Sequence, residues 1–407
     1  MSAKNGLTPS VRKLVGVCLA LAIIGSAVLA SSAGAKTTLV PTNYIAMGDS
    51  ISFGYSQEKF EKNYPAEPIS VYEGGFVNIL AKKLASLEKK SGNGLKTYNL
   101  SCPGELSDGL IGENPLLGGG GSNAEGSDDA PCAWHNTDGF ARHTEYGSYS
   151  QLEAAVGVLE TPNYINGETK DVTLQIGSND ELAVVGHCLS KAWNEYRGFT
   201  QGVNECLTVE AAPPSPKAGE EEFEHEKLTG EQFYKEGLFT HIITNMGTVV
   251  GVLRHEGYDG LVAILGFYNP EAIVLPGSDV LQIKLNNALE DEIAPTAKGG
   301  AEAFGPGVVY ANPFPKFNPQ HGNAREQAAI CKYTEYCNEF DKEQNLKKHL
   351  EEEGYGEAEA KAYAEAHHAE YPVGDIHPTH AGHEWLAKIL YQALTTGESV
   401  DEISAFD

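Results

Sequence analysis

The stretch Tyr44-Ile45-Ala46-Met47-Gly48-Asp49-Ser50 decides how this chain is read. Its apolar opening predicts a short buried strand. Gly48 and Asp49 then predict a turn, which leaves Ser50 at the strand's carboxyl end. If a helix starts there, its unpaired N–H groups and the positive end of its dipole face the serine. Taken alone, Gly-Asp-Ser is ordinary, because Asp and Ser are common turn and N-cap residues.

Working outward, the strand-then-turn pattern recurs. Strands are predicted at Tyr44–Met47, Thr97–Leu100, Val172–Ile176, Leu261–Leu265 and Val308–Tyr310. Helical patterns fall at Gly75–Glu88, Gln151–Glu160, Glu231–His255, Val280–Ile293 and Ala381–Leu394. This alternation predicts an α/β protein, a three-layer αβα sandwich around a central parallel sheet. Ligands of such sheets bind beyond the carboxyl ends of the strands. Ser50, Gly104 and Asn179 each follow a strand candidate at that end.

Three segments join Gly48-Asp49-Ser50 in order: Asn99-Leu100-Ser101-Cys102-Pro103-Gly104-Glu105, Ile176-Gly177-Ser178-Asn179-Asp180, and Gly374-Asp375-Ile376-His377-Pro378-Thr379. Together they resemble the SGNH, or GDSL-type, hydrolase family, over a span from Tyr44 to Leu394. The resemblance implies a flavodoxin-like SGNH fold and a secreted esterase or lipase acting on carboxylic esters, with a polysaccharide O-acetyl esterase or an acyltransferase on the same fold as the alternative. It implies Ser50 as nucleophile and His377 as general base. The oxyanion hole would come from the backbone N–H groups of Ser50 and Gly104 and the side chain of Asn179. No cofactor is implied.

Chemistry agrees with these residue types. A serine hydroxyl needs a base to take its proton, and a neutral imidazole can take it and return it to the leaving alcohol. The chain departs from the family at the third triad member. That aspartate commonly stands three residues before the histidine, where this chain has Gly374. Two readings follow: Asp375 orients the imidazole, or the Gly374 carbonyl does. The first is favoured. Asp49 and Asp180 are expected to hold their own turns. Ile51, Phe53 and Tyr55 are candidates either for an acyl-binding wall or for core. His380 and His383 are read as helix-start residues.

Residues 1–35 read as a secretory signal, with Arg12 and Lys13 before the apolar run Leu14–Ala30 and the small residues Ala33-Gly34-Ala35 after it. The alternative is an uncleaved anchor. The expectation is export, with no membrane anchor after cleavage. Residues 36–407 then form the hydrolase domain. Of seven cysteines, Cys18 leaves with the signal, and Cys102, Cys132, Cys188, Cys206, Cys331 and Cys337 remain. An even number in an exported chain suggests disulfides. The family resemblance implies pairing between sequence neighbours: Cys102–Cys132, Cys188–Cys206 and Cys331–Cys337.

A formal net charge of −27 repels phosphate backbones and anionic lipid surfaces, so nucleic acid is an unsuitable partner. The expected partner is a small-molecule or lipid ester, and the expected state a monomer. Insertions are placed near residues 113–149, 186–230 and 312–371. The last reads as one or two exposed helices broken near Gly354-Tyr355-Gly356, either a lid or a solvated packing element. The reading against all this is a catalytically silent binding protein on the same fold. The joint presence of Ser50, Gly104, Asn179 and His377 argues against it.

Overall fold

The computed structural model describes residues 41–63, 68–112, 132, 140–182, 238–273, 278–293, 304–319, 324–352, 354–367 and 374–400. The signal segment, Cys188, Cys206, the 186–230 insertion and most of the 113–149 insertion lie outside them. Five strands form one sheet: β1 (Thr42–Gly48), β2 (Leu95–Asn99), β3 (Thr169–Gln175), β4 (Leu261–Leu265) and β5 (Val308–Ala311). Their order is β2-β1-β3-β4-β5, and every pair is parallel. All five predicted strands are present. The helix predicted from Glu231 is described only from Leu238 onward.

A parallel sheet must be covered on both faces, and alternation along its strands achieves this. Ile45, Met47, Val262, Ile264, Val308 and Tyr310 point into one apolar layer. The helices Gln151–Glu160, Leu238–His255 and Asp279–Ile293 close that layer through residues such as Leu152, Met246 and Leu289. The alternate residues Tyr44, Ala46, Ala263, Leu265, Val309 and Ala311 face the other way. There Phe76–Lys90 and His380–Thr396 present Leu80, Leu84, Leu386 and Leu390. Leu80 and Leu390 are fully buried, and truncating such a leucine to alanine costs about 2–5 kcal/mol.

Two predicted disulfides are formed, Cys102–Cys132 and Cys331–Cys337. In the third insertion, the helices Glu339–Glu352 and Glu357–His367 flank the predicted break. They bury Leu346, Leu350 and Ala360 against each other. Among the described residues, no helix is long and apolar enough to cross a membrane.

Candidate active site

The strand order sets three neighbouring carboxyl ends side by side, with Ser50 following the middle strand. β1 ends at Gly48, whose φ is +154°. A Cβ there would lie 2.2 Å from the Gln175 carbonyl oxygen and 2.4 Å from Ser52 Oγ, so no larger residue fits. Asp49 then caps the short helix Ser50–Phe53, its Oδ1 accepting from Ile51 N at 2.9 Å. The cap leaves the Ser50 amide at the open helix end, where it meets no acceptor among the described residues. Gln175, the last residue of β3, donates to Asp49 Oδ2 at 2.9 Å and accepts from Ser52 Oγ at 3.1 Å. Burial pushes the Asp49 carboxyl up to about 6, against the lowering effect of the Ile51 and Gln175 bonds.

The loop before the His380–Thr396 helix brings His377 to this serine. His377 Nε2 lies 2.7 Å from Ser50 Oγ. His377 Nδ1 bonds Asp375 Oδ1, and the same oxygen accepts from His377 N at 3.0 Å. Gln57 N donates to Asp375 Oδ2 at 2.9 Å. Burial works to raise the Asp375 carboxyl, but His377 and these amide donors outweigh it and hold it below the usual range. Side-chain exposure is 12% for His377 and 1% for Asp375, so the imidazole is reachable and the carboxylate is shielded. The Tyr55 ring packs on the imidazole with centroids 4.8 Å apart.

Three contacts pin the loop itself. Glu335 N donates to His377 O at 2.8 Å, Thr379 N to Tyr333 O at 3.0 Å, and Tyr268 OH to Ile376 O at 2.8 Å. Two of them come from the segment that the Cys331–Cys337 bond closes. Thr379 caps the next helix. His380 opens that helix, and His383 is buried, its Nδ1 accepting from Phe76 N at 3.2 Å. Burial lowers the His383 pKa to about 3, so this imidazole is neutral.

Gly104 turns the chain after β2 with φ +75°, and its amide has no acceptor among the described residues. Asn179 follows β3, and its Nδ2 donates to Glu105 O at 2.9 Å. A carboxamide has two N–H groups, so one is left for a ligand. The expectation that Asp180 holds its own turn is not met. Asp180 instead reaches across to Ser107, accepting from Ser107 N at 3.0 Å and Ser107 Oγ at 2.7 Å. That ties the Asn179 turn to the chain just beyond Gly104.

Phe53 and Tyr55 belong to a buried aromatic cluster with Tyr72 and Phe140, whereas Ile51, the residue after Ser50, lines a cavity whose walls include none of Ser50, Gly104, Asn179 and His377. The cavity holds about 60 Å³, with Leu265, Phe267, Tyr268 and Ile376 among its walls and Glu181 and Glu271 among its polar groups. Both glutamates keep partial exposure, as side chains facing a cavity do. Burial away from bulk water pushes Glu181 up to about 8 and Glu271 up to about 7.

Among the described residues, one group has metal-like proximity, Cys102, Glu105 and Cys132. Its two sulfurs are bonded to each other, so it offers no thiolate. Sequence reasoning missed Gln57, Gln151 and Gln175. Gln175 sits beside the Asn179 motif and could have been suspected.

No family model matches the chain, and no curated protein does. Solved structures are similar to it at low identity. One is a member of the lipolytic protein G-D-S-L family from Veillonella parvula DSM 2008, at 11% identity and a TM-score of 0.34, covering 87% of this chain and 98% of that one. A second is a GDSL-like lipase from Parabacteroides merdae ATCC 43184, at 11% identity and a TM-score of 0.36, covering 88% of this chain and 97% of that one. A third is a family two carbohydrate esterase from Clostridium thermocellum, at 9% identity and a TM-score of 0.34, covering 88% of this chain and 65% of that one.

Proposed function

We propose that this chain is an exported serine hydrolase that cleaves carboxylic esters through an acyl-enzyme on Ser50. The observation that carries the reading is the line from Ser50 Oγ through His377 to Asp375, with Nε2 and Nδ1 of one imidazole engaged at its two ends. In this reading His377 takes the Ser50 proton as Oγ attacks the ester carbonyl. The carbonyl oxygen becomes an oxyanion, which the Ser50 amide, the Gly104 amide and the second Asn179 N–H receive. Asp375 holds the imidazole in the tautomer that accepts at Nε2 and steadies the imidazolium that forms. The tetrahedral intermediate collapses and expels the alcohol, which leaves with the proton from His377. Water, deprotonated by the same imidazole, then attacks the acyl-enzyme and releases the acid.

A narrower reading is removal of acetyl or other short acyl groups such as those on polysaccharides, with the acyl group entering the cavity lined by Ile51 and Ile376, the chain neighbours of Ser50 and His377. A dry cavity of about 150 Å³ takes a benzene ring; one of about 60 Å³ suits an acyl group of a few carbons. Two acidic groups among its lining also oppose a long alkyl chain. Hydrolysis of p-nitrophenyl acetate, butyrate, octanoate and palmitate tests both readings. The short-acyl reading expects acetate or butyrate to lead. A lead for octanoate or palmitate returns the assignment to a lipase. No turnover of any ester by folded protein counts against the esterase reading itself.

A further inference from the structure

Two buried residues that the mechanism above does not use connect all three oxyanion donors. Gln151 is the first residue of its helix, fixed by a Ser150–Glu153 capping box, and it is 1% exposed. Its side-chain amide grips both backbone groups of Gly48, two residues before the serine. Gly48 N donates to Gln151 Oε1 at 2.8 Å, and Gln151 Nε2 donates to Gly48 O at 2.9 Å. β2 ends in its register with β1 at Asn99, opposite Ala46, but the backbone bonding runs on, with Cys102 N donating to Gly48 O at 3.0 Å. The carboxamide gives Gly48 N its acceptor and shares Gly48 O with Cys102 N, and it leaves no polar atom of its own unpaired.

The other N–H of Gln151 Nε2 reaches Glu105 Oε2 at 3.1 Å. Glu105 is 2% exposed and directly follows Gly104. Its carboxylate also accepts from Cys132 N at 3.0 Å, which anchors the turn to the Cys102–Cys132 disulfide. Its backbone carbonyl receives Asn179 Nδ2 at 2.9 Å. The buried Arg142, which bonds Gly147 O at 2.6 Å and contacts Cys132 Sγ at 3.3 Å, supplies the nearby positive charge.

We propose that Gln151 and Glu105 are positioning residues that set the spacing of the Ser50, Gly104 and Asn179 donors. This rests on the reading of the site as that of a serine esterase. Oxyanion stabilisation depends on donors preplaced at hydrogen-bond distance from the developing charge. A link between Gly48 and the Gly104 turn fixes two of those donors relative to each other, and Glu105 O fixes the third.

The experiment compares the wild-type chain with Gln151→Leu, Glu105→Gln and the double variant. It reads kcat and KM for p-nitrophenyl acetate per serine titrated by a fluorophosphonate. It also reads Ki for a trifluoromethyl ketone, which the serine converts to an oxyanion adduct. The expected result is a fall in kcat of roughly 10- to 100-fold, less than the loss of a donor itself, with KM within about twofold. Ki rises by the same factor, and the double variant loses no more than the worse single one, as members of one network do. Should Gln151→Leu not fold, Glu105→Gln keeps size and shape and is judged by the same kcat and Ki criteria. Unchanged kcat and Ki with lowered thermal stability would overturn the proposal, as would losses that simply multiply. A wild-type serine that takes no fluorophosphonate would instead overturn the esterase reading beneath it.

Discussion

His377 Nε2 stands 2.7 Å from Ser50 Oγ although the two residues are 327 positions apart. The sheet order delivers one partner at the end of β1, between β2 and β3. A loop pinned by Tyr268, Tyr333 and Glu335 delivers the other. Predictions about the site follow from what holds each of them.

Asp375→Ala removes the group that bonds His377 Nδ1 and accepts from the His377 amide. The expected loss in kcat is roughly 10⁴-fold, the scale for losing a triad aspartate. Steady-state kinetics on p-nitrophenyl acetate measure it. A loss below about tenfold would mean that the Gly374 carbonyl orients the imidazole instead.

Asn179→Ala deletes a side-chain donor and frees the Glu105 carbonyl. A fall in kcat of about 10²–10³ is expected with little change in KM. Equal losses in binding and turnover would argue that Asn179 only shapes the turn.

The Cys331–Cys337 bond closes the turn whose Glu335 amide holds His377 O. Its chain-entropy contribution for so short a loop is about 2 kcal/mol. The double change to serine should lower stability by that order and lower activity more than unfolding alone explains. Activity measured well below the melting temperature decides between the two. Full activity there would remove the bond from the account of the site.

Asp49 gives the pH prediction. Burial raises its carboxyl from 3.8 to about 6, so the folded protein holds that proton more tightly than the unfolded chain. Its contribution to stability is therefore present below about pH 4 and declines as pH rises to about 6. Asp49→Asn lacks this decline. The stability of the variant minus that of the wild type should rise across the window by up to about 3 kcal/mol. Denaturant melts at several pH values measure the difference, and a flat difference would show that Asp49 is ionised without penalty.

Much of this arrangement was legible in the chain itself. Five strands were legible because buried parallel strands are short apolar runs with turn residues after them. Ser50, Gly104, Asn179 and His377 were legible because each stands in a motif of several residues, and the structure brings three of them to adjacent strand ends with His377 against the serine. The choice between Asp375 and Gly374 was not decided by spacing, because a one-residue offset is resolved only by the loop's backbone, here pinned from outside by distant residues. Gln151 was invisible as a partner of Gly48. A single glutamine at a helix start has no periodicity, and its partner lies 103 positions away. The reach of Asp180 to Ser107 was hidden for the same reason.

The most direct test of the central claim is intact mass of the protein after reaction with a fluorophosphonate, for the wild type, Ser50→Ala and His377→Ala. The account predicts one adduct per wild-type chain, located at Ser50 by peptide mapping. It predicts none on Ser50→Ala and much slower labelling of His377→Ala. An adduct that persists on Ser50→Ala, or a folded wild type that takes none, would contradict it.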